Sequence, residues 1–187
     1  MMRFRALTAK EVEVRIGQVV SNEWGQYVIL LLYKDARADM NILDETVGSE
    51  NWQREHYEVK GNLYCRVGIN RHYAQPEKEP SWVWKSDCGT ESNTEAVKGE
   101  SSDAFKRSCV CFGIGRELYT APKIKVTDCE IKATKRTDKS GNPIYACYDD
   151  FEVVDFEVKD GRITALSIYR KDYKNRRKVK VYEYGKR

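Results

Sequence analysis

The chain has 187 residues, 41% of them hydrophobic and 33% charged, which suits one domain with a real core, or a core domain with a modest extension, and excludes two large domains. Its longest aliphatic run, residues 27–33, is far too short to span a bilayer, and the opening MMRFRALTAK lacks the apolar stretch of a signal peptide, so a cytoplasmic protein without a membrane partner is expected. The formal net charge of +4 is unevenly spread: residues 170–187 carry nine basic residues against Asp172 and Glu183, or +7, which leaves −3 for residues 1–169.

A body of that sign repels phosphate in bulk, so any nucleic-acid binding must run through a local basic groove. The basic tail either adds non-specific affinity or forms a solvated strand pair.

In chain order, a short helix or strand is expected at 8–16, then a buried strand at 26–33, where β-branched and aromatic residues dominate. A helix follows at 36–47. Ala36, Met40, Leu43 and Val47 recur at i, i+4, i+7 and i+11 on one apolar face, Asp39, Asp44 and Glu45 point elsewhere, and Gly48 closes the element. Residues 52–60 and 63–70 read as a hairpin about Gly61-Asn62. Leu63, Cys65, Val67 and Ile69 share one face of its second strand, with Tyr64, Arg66 and Asn70 on the other. A loop at 73–80 leads to a third strand at 81–87.

The next helix carries the most information. Ser92 with Glu95 resembles a capping box, and the helix stops at Phe112-Gly113-Ile114-Gly115. Stepping about 100° per residue from Phe105 places Ser101, Ser108, Cys109 and Phe112 on one buried stripe with Val97 at its margin. Lys106 falls on the flank and Arg107 almost opposite. Lys98 projects near the buried stripe in the first turn, where the helix dipole gives a cation no reason to sit. Beyond Pro122 the pattern is almost purely β, with strands at 123–132, 144–148, 152–158, 163–169 and 178–184. The fold class is therefore α+β: an antiparallel β-meander packed with helices over residues 1–120, and a β-rich extension with a basic end over 121–187.

Six cysteines form no CxxC pair and read as small buried hydrophobes in a reducing compartment, with no metal site. His56 and His72 have no acid or thiol partner at ligand spacing, and His56 is expected on a solvent or groove face of the hairpin. Glu58-Val59-Lys60 with Asp44 upstream supplies the residue types of a Mg²⁺-dependent nuclease, but Lys60 abuts a turn, where a solvated role fits better. Gly113-Ile114-Gly115 follows a helix instead of preceding one and lacks a Gly-Lys-Ser/Thr, so it is no phosphate loop. Trp52, Trp82 and Trp84 either stack bases or form core and subunit contacts. Asp87, Thr90 and Glu91 read as turn and cap residues.

DARADMNILDETVGSENWQ, the meander, WVWKSDCGTES and EAVKGESSDAFKRSCVCFGIGRELY together resemble the Rad-fifty-two-type single-strand annealing proteins, especially the short phage Sak-like and bacterial DdrA-like members, over about residues 5–120. The resemblance implies a β-β-β-α core that assembles into a homo-oligomeric ring or curved filament. Such a core holds single-stranded DNA by its backbone and anneals complementary strands without ATP, cofactor or catalytic residue, in phage recombination or bacterial DNA repair. It further implies that Lys106 and Arg107 match the basic pair on the groove helix, that Lys98 matches an earlier basic position, and that Arg37 matches a groove arginine of the short relatives. Where some eukaryotic members carry an aromatic after the first helix, this chain has Ser49 or Glu50. A single-strand-binding protein is a further candidate partner, and the host cytoplasm or nucleoid the expected location. A module that protects single-stranded ends without annealing needs the same groove, and stands as the alternative.

Overall fold

The structure is a computed structural model that describes residues 2–90 and 96–185, with only the backbone of Ala96. The Ser92–Glu95 capping box, Glu91, Lys186 and Arg187 lie outside the described residues. The chain forms two compact units, one from residues up to Leu7 with Lys34–Arg116, the other from Thr8–Tyr33 with the segment from Glu117 onward. This division differs from the boundary read at residue 120, because residues 8–33 pack with the C-terminal strands. Sequence periodicity shows that a strand is half buried, not which distant strand covers it.

In the second unit, β1 (Val12–Asn22) and β2 (Gly25–Lys34) form a hairpin extended by β6 (Ile124–Val126) in the order β1-β2-β6. The expected strand at 123–132 is two strands, broken where the Cys129 N–H donates to the Thr127 carbonyl at 3.0 Å; the second, β7 (Ile131–Thr137), pairs with β8 (Pro143–Cys147). β9 (Phe151–Lys159), β10 (Arg162–Asp172) and β11 (Arg177–Tyr184) make an antiparallel meander. Val28 and Leu30 of β2, Ile124 and Val126 of β6, and Ile163, Leu166 and Ile168 of β10 form the buried centre.

In the first unit, α1 (Ala36–Val47) starts at Asp35, whose carboxylate accepts the Arg37 N–H at 2.6 Å, and ends at Gly48, whose φ of 86° suits glycine. β3 (Trp52–Val59), β4 (Asn62–Asn70) and β5 (Trp82–Cys88) form an antiparallel sheet, and α2 (Ala96–Phe112) packs on β4 and β5. The hairpin turn is Lys60-Gly61, one residue before the expected place, since Val59 pairs with Asn62. Cys65, Val67 and Ile69 are buried against Ala104, Phe105 and Cys109 of α2. The chain is thus a mixed α and β protein with antiparallel sheets.

The buried face of α1 differs from the expected one: Ala38, Asp39, Ile42, Leu43 and Val47 are buried, whereas Ala36 and Met40 are half-buried. Asp39 is fully buried because the Lys34 ammonium, itself 4% exposed, lies in direct contact with its carboxylate. Burial raises the Asp39 pKa from 3.8 to about 6, against the lowering effects of Lys34, Lys106 and the Cys109 thiol. Between those values the folded chain holds a proton that the unfolded chain has released, so stability falls as pH rises through that window.

Lys34→Met leaves Asp39 as an unpaired buried charge and should destabilise the protein by about 3–5 kcal/mol near pH 8. The loss should shrink toward pH 5 as Asp39 takes a proton, which denaturant unfolding across that range would measure.

Candidate nucleic-acid interface

The four cations expected to line a groove occupy different environments. Arg37 is exposed on the first turn of α1, and its guanidinium contacts no carboxylate among the described residues. A cation there opposes the helix dipole, so its placement serves no purpose within the helix. Lys106 is half-buried on α2 and close enough to Asp39 to lower its pKa. Arg37, two residues from Asp39 and so about 200° round α1, points away from that buried contact.

Arg107 turns the other way and pairs with Asp87 of β5 at 3.1 Å, with about two-fifths of its side chain exposed. The expectation that it projects opposite the buried stripe is corrected: its long side chain folds back to the sheet edge. Asp87 is thus an ion-pair partner, and its N–H donates to the Ser108 hydroxyl at 3.0 Å. Thr90 donates to Asp103 through both its N–H and its hydroxyl.

Lys98 is exposed, which corrects its expected place near the buried stripe, and Val97 is 78% exposed instead of marginally buried. The reason lies in Gly89, where an added Cβ would meet the Glu100 carbonyl at 2.1 Å. The sheet thus meets the helix at Glu100, and Val97 and Lys98 lie in the turn before that contact. Eight residues separate Lys98 from Lys106, about 12 Å along the axis.

The end of α2 explains the Gly-Ile-Gly run. Gly113 N–H donates to the Val110 carbonyl at 2.9 Å. Gly115 has φ +70°, and a Cβ there would meet Lys34 Cε at 2.4 Å. The last glycine is therefore needed so that the buried lysine can cross to Asp39.

Further cations, missed in the sequence, lie along the same sheet. Arg54 sits 4.8 Å from the Phe105 ring centroid, Arg66 4.7 Å from Trp84 and Lys85 Nζ 4.8 Å from Phe112. Arg66 is also held by Glu55 at 2.6 Å. The interleaving of charged and aromatic residues in β3, β4 and β5 was the signal available for them.

The nuclease constellation is not assembled. Asp44 accepts the Trp52 indole N–H at 2.6 Å, and Glu58 lies six residues further along β3, about 20 Å away. Among the described residues no three His, Cys, Asp or Glu side chains are grouped to hold a metal ion. His56 is half-buried, with Nε2 at 3.1 Å from both the carbonyl and the hydroxyl of Ser101, so it joins the sheet to α2 and does not face solvent. Trp52 stacks on Phe105 at 6.0 Å, a core contact. Trp82 and Trp84 lie 6.2 Å apart, with Trp84 packed on Gly68. Burial raises the Cys65 thiol to about 11 and the Cys109 thiol well above its ordinary value, so both are unreactive hydrophobes.

The basic tail is largely neutralised within the second unit. Arg170 pairs with Asp128, Lys171 with Asp150, Arg177 with Asp172, Lys178 with Glu152 and Lys180 with Glu183. Lys174 and Arg176, at the hairpin tip, have no such partner among the described residues. No described helix is long and apolar enough to cross a membrane.

A β-meander covered by a helix that carries cations defines a candidate polyanion-binding protein. The chain belongs to the Rad52/22 family of double-strand break repair proteins, whose model matches residues 5–137. It is 36% identical over 97 residues to the single-stranded DNA-binding protein DdrA of Deinococcus radiodurans, an alignment covering 51% of this chain and 43% of that protein. The chain thus spans less than half the length of that relative. No solved structure matches it.

Because the Arg107–Asp87 pair is partly exposed, Arg107→Ala should change unfolding free energy by less than about 1 kcal/mol. Gly115→Ala should cost about 1–3 kcal/mol through its left-handed backbone alone. Thermal unfolding of both variants beside the wild type checks this contrast.

Proposed function

We propose that the protein binds single-stranded DNA and anneals complementary strands without ATP, in recombination or repair of bacterial or phage DNA. The β3-β4-β5-α2 unit is the annealing core. Lys106 where α2 meets α1, Arg37 on α1, Arg107 at the β5 edge and Lys98 up the helix form its phosphate-binding track. The carrying observation is that Lys98, Lys106 and Arg107 stand on one helix over the sheet, in a member of a double-strand break repair family similar to a protein named as single-stranded DNA-binding.

Cations that read only phosphates bind any sequence, with affinity falling steeply in salt, and leave bases free to sample partners. Since residues 1–169 carry −3, a single copy offers too few cations. Assembly into a ring or curved filament joins them into a continuous track, each copy adding to the avidity. The action is non-covalent and needs no cofactor. A single-strand-binding protein is the natural partner, since it coats the same substrate, and the site of action is the cytoplasm or nucleoid.

Two complementary, fluorescently labelled oligonucleotides mixed with the protein, without ATP and with or without Mg²⁺, should pair faster than alone and remain intact. Lys106→Ala and Arg107→Ala should each reduce the slope of log affinity against log salt by about 0.7, the value of one single-strand phosphate contact. Slowed pairing would replace annealing with end protection, and shortened strands would mark a nuclease.

A further inference from the structure

The first unit contains an open cleft of about 620 Å³ that none of the four groove cations lines. Its volume lies within the ordinary range for ligand sites, about 300–1,000 Å³. Ile69 and Val83, paired across β4 and β5, give it an apolar floor. Phe4, Tyr73 and Phe112 supply aromatic walls, and Arg71 and Lys85 supply positive charge.

Both cations have unspent donors. The Lys85 ammonium donates to the Cys111 carbonyl at 2.8 Å over the Phe112 ring, which leaves two of its three N–H groups. Arg116 also caps Cys111, at 3.1 Å, so the helix end does not depend on Lys85. The exposed Arg71 is fixed through its backbone N–H, which donates to the Ser81 carbonyl at 2.8 Å. Its guanidinium makes no hydrogen bond or ion pair among the described residues, so five donors face outward.

Lys85 is two residues from Asp87 on β5, about 7 Å away and on the same face of the sheet. The Asp87-bound Arg107 and Lys85 therefore stand in a row along the edge where α2 meets β5, and that row runs into the cleft.

We propose that the cleft is a nucleotide subsite for single-stranded nucleic acid: one base enters against the aromatic walls while its flanking phosphates engage Arg71 and Lys85. The inference rests on the single-strand binding reading and extends the backbone track to a place where a base is held. Aromatic stacking accepts every base, so the subsite anchors the strand without choosing sequence. An apolar floor with cations at its rim fits an anionic, flat, partly apolar ligand. It does not fit a neutral apolar helix, which would leave both charges unpaired.

The test uses the full-length protein and a fluorescein-labelled oligo(dT) strand, with polarisation measured over a salt series, and a second strand carrying 5-iododeoxyuridine for photocrosslinking. The expected result is a fall of about 0.7 in the salt slope for Arg71→Ala, with crosslinks on peptides containing Tyr73 or Phe112. An unchanged slope in Arg71→Ala, with crosslinks confined to other peptides, overturns the subsite. If Lys106→Ala weakens binding in that case, the annealing reading stands while the cleft assignment fails. A changed oligomeric mass in Arg71→Ala at an unchanged slope also overturns it, and makes the cleft an interface between copies. Failure of the wild type to bind oligo(dT) overturns both.

Discussion

The contact between Lys34 and Asp39 organises the first unit. Two dehydrated charges are costly unless they meet closely, and here the contact joins the last residue of β2 to the first turn of α1, against Cys109 of α2. Everything near it is shaped to permit it. Gly115 omits a side chain so that the lysine stem can pass, and Asp39 displaces Ala36 and Met40 from the face of α1 that periodicity assigns to the core. The same carboxylate holds Lys106 in a favourable field, so the arrangement that stabilises the core also positions a cation at the helix flank.

Residues 1–169 form a body of net charge −3. Much of the chain's charge is consumed internally: Arg5 by Glu45, Arg66 by Glu55, and most tail cations by acids of the second unit. The small remainder, Arg37 and Arg71 among them, makes no ion pair among the described residues. Net charge therefore says little about such a protein, because binding depends on which cations keep donors free.

The division into two units gives the N-terminal hairpin a meaning that chain order hides. β1 and β2 complete a sheet with β6, and Val28 and Leu30 enter the same buried centre as Ile163, Leu166 and Ile168. The family match, ending at residue 137, begins before this hairpin and stops in β7. β8 to β11 are thus an elaboration beyond the matched region that packs with strands inside it.

Local chemistry in the sequence by itself determined α1 from Ala36 to Val47, the glycine stop after Phe112, the β3–β4 hairpin to within one residue, and the buried alternation of Cys65, Val67 and Ile69. It also carried the resemblance that led to the family. Each depends on contacts within a few residues, where propensity and periodicity act directly. The tertiary structure alone decided that Asp39 is buried, that Lys98 is exposed, that Arg107 folds back to Asp87, that His56 joins α2, and that residues 8–33 pack with the C-terminal strands. Periodicity tells which side of an element is covered; what covers it, and which charges meet there, is set by packing between elements, which leaves no local trace.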